Sequence, residues 1–204
     1  MNRSAISLPL FPLQSVLFPG GLLSLKIFEA RYLDLMSACL RERQPFGVVA
    51  LEAGGETKAG AGAVKLEKVG CLAELLEVES PQQGILQVRC RGTERFEIES
   101  AEQRGNGLWV AEATPLPSDE SLLPPQELVG SAKGLASAIA SLREQGSEPF
   151  LEPYRFDDVG WLANRWCEIL PISLAAKQKL MELPDPLVRL RLVDDYLRSK
   201  GVVA

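Results

Sequence analysis

The fold is decided by three segments near the amino terminus: Leu8-Pro-Leu-Phe-Pro-Leu13, Val16-Leu-Phe-Pro-Gly20 and Ile27-Phe-Glu-Ala-Arg-Tyr32. Pro9 and Pro12 indicate a sheet edge or a turn, because proline has no backbone N–H to donate to a neighbouring strand. The order of the three segments predicts a strand, a Pro-Gly turn, a second strand and the start of a helix.

Apolar and polar residues alternate with a period of two from Ala5 to about Pro117. The pattern is clear in Ile85–Arg91, and Phe96 and Ile98 repeat it, as expected for strands that bury one face. Further predicted strands are Leu22–Ile27, Phe46–Leu51, Val64–Val69, Leu72–Val78 and Leu108–Ala113. So many short strands predict a small barrel or a folded sheet that closes its own edges.

One helix is predicted among these strands, from about Glu29 to Arg43. Its expected core face is made of residues at helical spacing: Phe28, Tyr32, Leu35, Met36 and Cys39. Glu29 is expected to cap amide groups in the first turn, where the helix dipole favours an anion. We expect this helix to close an open end of the barrel.

The period changes to 3.6 residues after the proline-rich loop 114–125, which predicts a domain boundary. Four helices are predicted beyond it: Gln126–Gln145, a second that begins at the N-cap Asp157 and ends before Pro171, Ser173–Glu182, and one from Asp185 to about Lys200. The predicted domains are therefore 1–117, rich in strands, and 118–204, a helical bundle.

These motifs resemble the amino-terminal substrate-binding domain of the ATP-dependent Lon protease family, the LON domain. The matching segments are Pro9–Leu13, Leu17–Gly20, Ile27–Tyr32, Pro45–Val49 and Arg91–Phe96. Ser24 and Cys71 depart from it, since proline and threonine are common there. The resemblance implies an α+β fold, with a PUA-like small β-barrel that contains one helix, followed by a C-terminal helical bundle. It also implies a role in recognising substrate proteins.

The composition removes most enzyme classes. The chain has no histidine, which excludes the usual general base, Ser-His-Asp and Cys-His triads and most zinc sites. Gly55–Gly60 is the nearest approach to a phosphate-binding loop, but it lacks the required lysine and hydroxyl residue, and Ala53–Ala63 is predicted to be a mobile loop. Asp157-Asp158 and Asp194-Asp195 are interpreted as a helix cap and a solvated helix face. We expect no catalytic residue, metal or cofactor, and no ATPase or peptidase domain before the end at Ala204.

Charge and cysteine usage bear on partners and location. The net charge is −5, from 22 basic and 27 acidic residues, and both halves are acidic. This argues against binding along a phosphate backbone, which needs clustered Lys and Arg. There is no signal peptide and no apolar run of membrane-spanning length. The four cysteines lie far apart in the sequence, so we expect reduced thiols and a cytoplasmic location with no membrane partner.

Three residues are candidates for binding: Arg31, Tyr32 and Trp161. For Arg31 and Tyr32 two alternatives stand. Either Tyr32 belongs to the core with Phe28 while Arg31 makes a partly exposed ion pair with a neighbouring strand or with the bundle, or Arg31 or Tyr32 lines a peptide groove. Trp161 falls opposite the apolar stripe of its helix, so it either packs the bundle against the barrel or forms part of an exposed apolar patch.

The sequence thus predicts a non-enzymatic module that binds unfolded or exposed polypeptide segments, by an apolar groove and by strand addition along an unpaired sheet edge. A full-length Lon protease is a further candidate partner. The alternative function is RNA binding by a PUA-like barrel, and the acidic charge of both halves argues against it.

Overall fold

The computed structural model describes residues 4–53 and 64–203. It divides into two compact units, Met1–Pro117 and Ser118–Ala204, called here the strand unit and the helical unit. The segment predicted to be a mobile loop lies outside the described residues, except for Ala53, which ends a strand.

The strand unit contains a mixed six-stranded sheet in the order β2-β5-β4-β3-β1-β6. Among the described strands, β1 and β3 are the only parallel pair, and β6 pairs with β5 as well as with β1. One helix, α1, lies between β2 and β3 in the chain. The bounds are β1 Ile6–Leu13, β2 Leu22–Ile27, α1 Ala30–Glu42, β3 Phe46–Ala53, β4 Lys65–Gln82, β5 Ile85–Gln103 and β6 Trp109–Pro115.

The prediction of two separate strands, Val64–Val69 and Leu72–Val78, is wrong, because β4 runs unbroken from Lys65 to Gln82. Register shifts interrupt its pairing with β5 between Cys71 and Ala73 and between Leu75 and Glu77. Such bulges change which face a side chain occupies without ending the strand. The alternation therefore breaks in the sequence where the strand continues.

Both prolines of β1 lie where the strand is paired on one side. Residues Ile6–Leu10 pair with β6, and Leu10–Leu13 pair with β3. Pro9 therefore faces a neighbour only in β6, and Pro12 only in β3. Each half of β1 is locally an edge, which is where a strand tolerates a residue without an N–H.

A tight turn connects β1 to β2 through Phe18–Gly21. Pro19 occupies its second position and Gly20, with φ of 75°, its third, while the N–H of Gly21 donates to the carbonyl of Phe18 at 2.9 Å. Gly20 and Gly21 together face Gly92 of β5: Gly20 N–H donates to the Gly92 carbonyl, and Gly92 N–H donates to the Gly21 carbonyl. This two-against-one arrangement is a β-bulge, and it sets the register of β2 on β5.

The core face of α1 packs against the sheet. Its buried apolar residues are Tyr32, Leu35, Met36 and Cys39, as the spacing predicts. The prediction that Phe28 joins them is wrong, because its side chain is 60 % exposed. Phe28 precedes the helix and continues the alternation of β2, so that Ile27 points inward and Phe28 outward.

The helical unit contains α2 Val129–Glu144, α3 Val159–Ile169, α4 Leu174–Glu182 and α5 Pro186–Ser199, with a 3-10 turn at Gln126–Leu128. Ser173 and Asp185 cap α4 and α5, as predicted. The prediction that Asp157 caps α3 is wrong by one residue: Asp158 accepts the N–H of Trp161 at 2.7 Å.

A single arginine organises the helical unit. Arg189 of α5 is buried, and five contacts satisfy its five N–H donors. Its acceptors are the two carboxylate oxygens of Asp119, the side-chain oxygen of Asn164 and the carbonyls of Leu180 and Leu183.

The prediction that Asp194 lies on a solvated helix face is wrong. It is buried and accepts from Ser131 and Arg198, both at 2.6 Å.

Replacing Gly92 by alanine tests the close approach between β5 and the turn. A Cβ on Gly92 would collide with the carbonyl oxygen of Phe18, so Gly92→Ala should lower the free energy of unfolding by about 1–3 kcal/mol. Gly105→Ala is the matched control, because its Cβ meets nothing within 4 Å. Equal denaturant midpoints for the two variants would contradict the proposed role of Gly92.

Candidate functional site

Arg31 lies in the first turn of α1 with its side chain buried, 7 % exposed. One guanidinium nitrogen donates to the carbonyl of Gly107 at 2.6 Å, and the other lies 2.9 Å from the Glu29 carboxylate. Glu29 has extended backbone at the N-cap and makes no side-chain cap bond, so the expectation that it caps amides is wrong. The ion pair of Arg31 is local, with the arginine side chain 6 % exposed and the glutamate side chain 22 % exposed. The hydrogen bond to Gly107 joins α1 to the turn between β5 and β6.

Tyr32 is buried beside Arg31. Its ring stacks on the ring of Phe11 in β1, with 4.0 Å between the two ring centres. The Arg31 guanidinium lies 4.5 Å from the centre of the Tyr32 ring. The guanidinium lies within the roughly 6 Å at which a cation–π contact is favourable. Tyr32 therefore anchors α1 to β1.

Trp161 lies in the helical unit and is 8 % exposed, so the alternative in which it forms an exposed apolar patch is wrong. It is surrounded by Phe150, Tyr154 and Phe156, with ring centres 5.4 to 6.3 Å away. Sequence reasoning placed it on a polar face, but α3 is buried on every side along Val159–Cys167. Its packing against the strand unit stays a prediction.

The structure brings Arg31 and Tyr32 together and places Trp161 in the other unit. Their contact with a bound polypeptide stays a prediction. All three side chains are used internally, so the exposed features of the strand unit are the better starting point for a binding site.

The most accessible of these features is the outer edge of β2. Among the described strands, β2 pairs with β5 alone. The N–H of Gly92 donates to the carbonyl of Gly21, so Gly21 and Gly92 form a hydrogen-bonded pair of the antiparallel ladder. From this pair onward, hydrogen-bonded and non-hydrogen-bonded pairs alternate along β2. The N–H groups of Leu22, Ser24 and Lys26 therefore point away from β5, toward the open edge.

A second edge lies along β4, where pairing with β3 stops at Ala73. Proteins block edge strands with charges and bulges to prevent unwanted pairing. The open part of β4 has both: Glu74, Glu77 and Glu79 are exposed, and the register with β5 shifts between Leu75 and Glu77. β2 has no register shift and one charged residue, Lys26. Of these two edges, β2 is the one left unblocked.

Two surface features flank β2. Phe28 directly follows the strand and is exposed, which gives its end an apolar side chain. A cleft of about 300 Å³ lies across β2, β5 and β4, lined by Ser24, Leu25, Lys26, Glu77, Glu79, Gln87, Val88 and Arg89. An open backbone, an apolar anchor and an adjoining cleft are the parts of a strand-addition site.

Another cleft, of about 400 Å³, lies at the end of α1 beside the open part of β4, lined by Cys39, Leu40, Arg43, Gln44, Pro45, Glu74, Leu75 and Thr93. Burial raises the pKa of the Cys39 thiol to about 11. Such a thiol is protonated at neutral pH and is a poor nucleophile. Cys39 therefore gives this cleft no reactive thiolate at neutral pH.

Cys90 and Cys167 are unreactive for the same reason. Burial raises the pKa of Cys90 and of Cys167 to about 12, and all four cysteines are free. Within residues 4–53 and 64–203, no cluster of three His, Cys, Asp or Glu side chains could hold a metal ion. No helix in the same part of the chain combines the length and apolarity that crossing a membrane requires.

The helical unit contains the most perturbed carboxyl group. Glu168, in the last turn of α3, accepts from the buried Arg165 at 2.8 Å. Burial raises the pKa of Glu168 to about 7, and Arg165 and Lys177 oppose the rise. The guanidinium of Arg165 also lies 5.9 Å from the Trp161 ring centre.

Comparison with known proteins decides the family. The family model for the ATP-dependent protease La (LON) substrate-binding domain matches residues 7–199. The chain belongs to the LON substrate-binding domain family. A comparison with curated proteins finds no match.

Solved structures agree with this LON domain over almost its full length. A Lon N-terminal domain protein from Xanthomonas campestris is 32 % identical with a TM-score of 0.71, over 94 % of this chain and 98 % of that one. The N-terminal domain of a Mycobacterium avium complex Lon protease has a TM-score of 0.64 at 18 % identity, over 95 % and 98 % of the two chains. The fold is thus that of a Lon N-terminal domain, with a mixed sheet and five α-helices among the described residues.

Sequence reasoning predicted β2 at its true bounds but did not select it as the open edge. The signal was present in Leu22–Ile27, an alternating strand with one charge. The sequence alone did not reveal the neighbours of β2, because strand order depends on pairings between residues 59 to 69 positions apart.

Two alanine variants separate the structural from the exposed residues of this region. Arg31→Ala should lower the free energy of unfolding by about 2–3 kcal/mol, because it leaves the Gly107 carbonyl and the Glu29 carboxylate without a charged partner. Phe28→Ala should change it by about 0.5 kcal/mol or less, since the side chain is exposed. Urea midpoints in the reverse order would contradict this placement of α1.

Glu168 should make stability depend on pH. Its folded pKa of about 7 lies above the unfolded value of about 4.3, so the folded state binds more protons between these values. Its contribution is complete below about pH 4 and is lost as the pH rises through 7. In the parent protein the urea midpoint should therefore fall between pH 5 and pH 8, and Glu168→Gln should make this fall smaller. An unchanged slope would reject the raised pKa.

Proposed function

We propose that this LON domain is a non-enzymatic module that binds unfolded or exposed polypeptide by adding a strand to the outer edge of β2. The observation that carries the proposal is the open edge itself: β2 pairs with β5 alone among the described strands, and it lacks the bulge and the row of charges that block β4. Family membership supports polypeptide as the ligand class.

The chemistry of the edge suits unfolded chains. The outward N–H and C=O groups of Leu22, Ser24 and Lys26 bond to any peptide backbone, which gives affinity with little dependence on sequence. The exposed Phe28 adds an apolar contact at the end of the strand. Ordering a flexible peptide costs much of this free energy, so Kd should lie nearer micromolar than nanomolar.

The buried candidates take supporting roles in this proposal. Arg31 and Tyr32 fix the first turn of α1, and so they position Phe28, which lies just before that turn. Trp161 stays a candidate binding residue of the helical unit. The pairing of β6 with both β1 and β5 supports the prediction of a PUA-like small barrel, because it links the two ends of the four-strand series β5-β4-β3-β1.

A non-catalytic role is consistent with a sequence that has no histidine and no phosphate-binding loop. A cytoplasmic location and an encounter with a full-length Lon protease belong to the same proposal. The acidic charge of both halves disfavours RNA as the ligand.

The test blocks the outer edge of β2 by removing one backbone N–H group. Ser24→Pro deletes one outward N–H, and an edge strand accepts proline at such a position. Ser24→Ala is the matched control, because it keeps the N–H. With a labelled peptide of alternating valine and serine, fluorescence anisotropy should show binding to the parent and to Ser24→Ala, and binding weaker by about tenfold or more to Ser24→Pro.

Circular dichroism of each variant establishes that the fold is retained. A peptide with N-methyl groups on alternate residues gives an independent test on the unchanged protein, since it cannot donate to β2. Equal binding of the methylated and unmethylated peptides, or of the proline and alanine variants, would overturn strand addition at β2.

A further inference from the structure

The outer face of strands β2, β5 and β4 has a gradient of charge. Cross-strand rows on this face run Leu22–Arg91–Glu74, Ser24–Arg89–Glu77 and Lys26–Gln87–Glu79. The cations lie on β2 and β5, and the carboxylates all lie on β4. This face is therefore cationic toward the open edge of β2 and acidic toward the blocked edge of β4.

The carboxylates of β4 are only partly available to a ligand. Glu74 lies 2.7 Å from Arg91, and Glu77 lies 2.9 Å from Arg89. Lys26 differs from both arginines, because it has no carboxylate within ion-pair distance among the described residues. It is exposed, and it is the charge closest to the open edge.

A strand added to β2 would lie about 4.8 Å from it, and so about 10 Å from β5 and about 14 Å from β4. Lys26 would then be a direct cross-strand neighbour of the added peptide, with Arg89 and Arg91 one strand further. The carboxylates of β4 would lie beyond the Debye length of about 8 Å at physiological salt. The added strand would therefore experience mainly positive charge on this face.

The opposite face of β2 is apolar. Leu23, Leu25 and Ile27 point to it and pack against the core of the strand unit. Because side chains alternate along a strand, a peptide added to β2 presents every second residue beside Lys26 and the others beside the leucines.

We propose that the β2 edge selects extended polypeptide segments in which acidic residues alternate with apolar ones, with Lys26 as the residue that determines the preference. This inference rests on the proposed function and specifies its ligand. Lys26 pairs with an acidic side chain of the added strand, and the apolar residues of that strand extend the face of Leu23 and Leu25.

The experiment exchanges the charge on both partners. Two peptides are compared by anisotropy, one alternating valine with glutamate and one alternating valine with lysine. The parent should bind the glutamate peptide about two- to fivefold more tightly, the range that one cross-strand charge pair provides. Lys26→Glu should reverse the order. Lys133→Glu, an exposed lysine of the helical unit, changes the net charge equally and should leave the order of the parent intact.

Salt and the edge-blocking variant locate the effect. Raising the salt to about 1 M shortens the Debye length to about 3 Å, so the preference should shrink while binding itself persists. Ser24→Pro should weaken the binding of both peptides to the same extent.

The outcomes separate this inference from the proposed function. Equal binding of the two peptides by the parent, or a preference that Lys26→Glu leaves unchanged, overturns acidic selection while strand addition stands. No binding of either peptide, or of the valine and serine peptide, overturns the proposed function and this inference with it. A reversal caused equally by Lys133→Glu assigns the preference to net charge and also overturns it.

Discussion

The close backbone approach between Gly92 and the Phe18–Gly21 turn is the constraint on which the strand unit depends. The approach excludes a Cβ at Gly92, and Pro19 and Gly20 supply the backbone angles that bring the turn to it. The two hydrogen bonds made there determine the register of β2 on β5. Which N–H groups of β2 face outward follows from that register, because a shift of one residue would exchange the bonded and the open sides.

Two open edges of the sheet, along β4 and along β2, differ in their protection against pairing. The free part of β4 combines carboxylates with a bulge, and this combination discourages pairing with another chain. The edge of β2 has neither, and it ends at an exposed aromatic side chain. An edge left unblocked exposes a protein to aggregation, so its presence beside a blocked one favours a function for it. Strand addition accounts for this difference with no catalytic group.

The sequence predicted the elements better than their surroundings. β2 lies at its predicted bounds, α1 lies within one residue of them at each end, and the caps Ser173 and Asp185 are correct, because a few neighbouring residues decide them. The errors at Phe28 and Asp194, and the exposed alternative for Trp161, are errors of burial. Each was assigned from the periodicity of one element, whereas its exposure depends on what the rest of the fold places beside it. β4 was divided in two because bulges break the alternation without ending the strand.

The family, the strand and helix alternation and the absence of histidine chemistry were determined by the sequence alone, since motif, period and composition are local properties of the chain. The burial of Arg31 and the stacking of Tyr32 on Phe11 were decided by the tertiary structure, because Gly107 and Phe11 are distant in sequence from α1. The candidate site has the same origin. A strand is an edge only by the absence of a neighbour, and which strands are neighbours is fixed by long-range hydrogen bonds that no local pattern encodes.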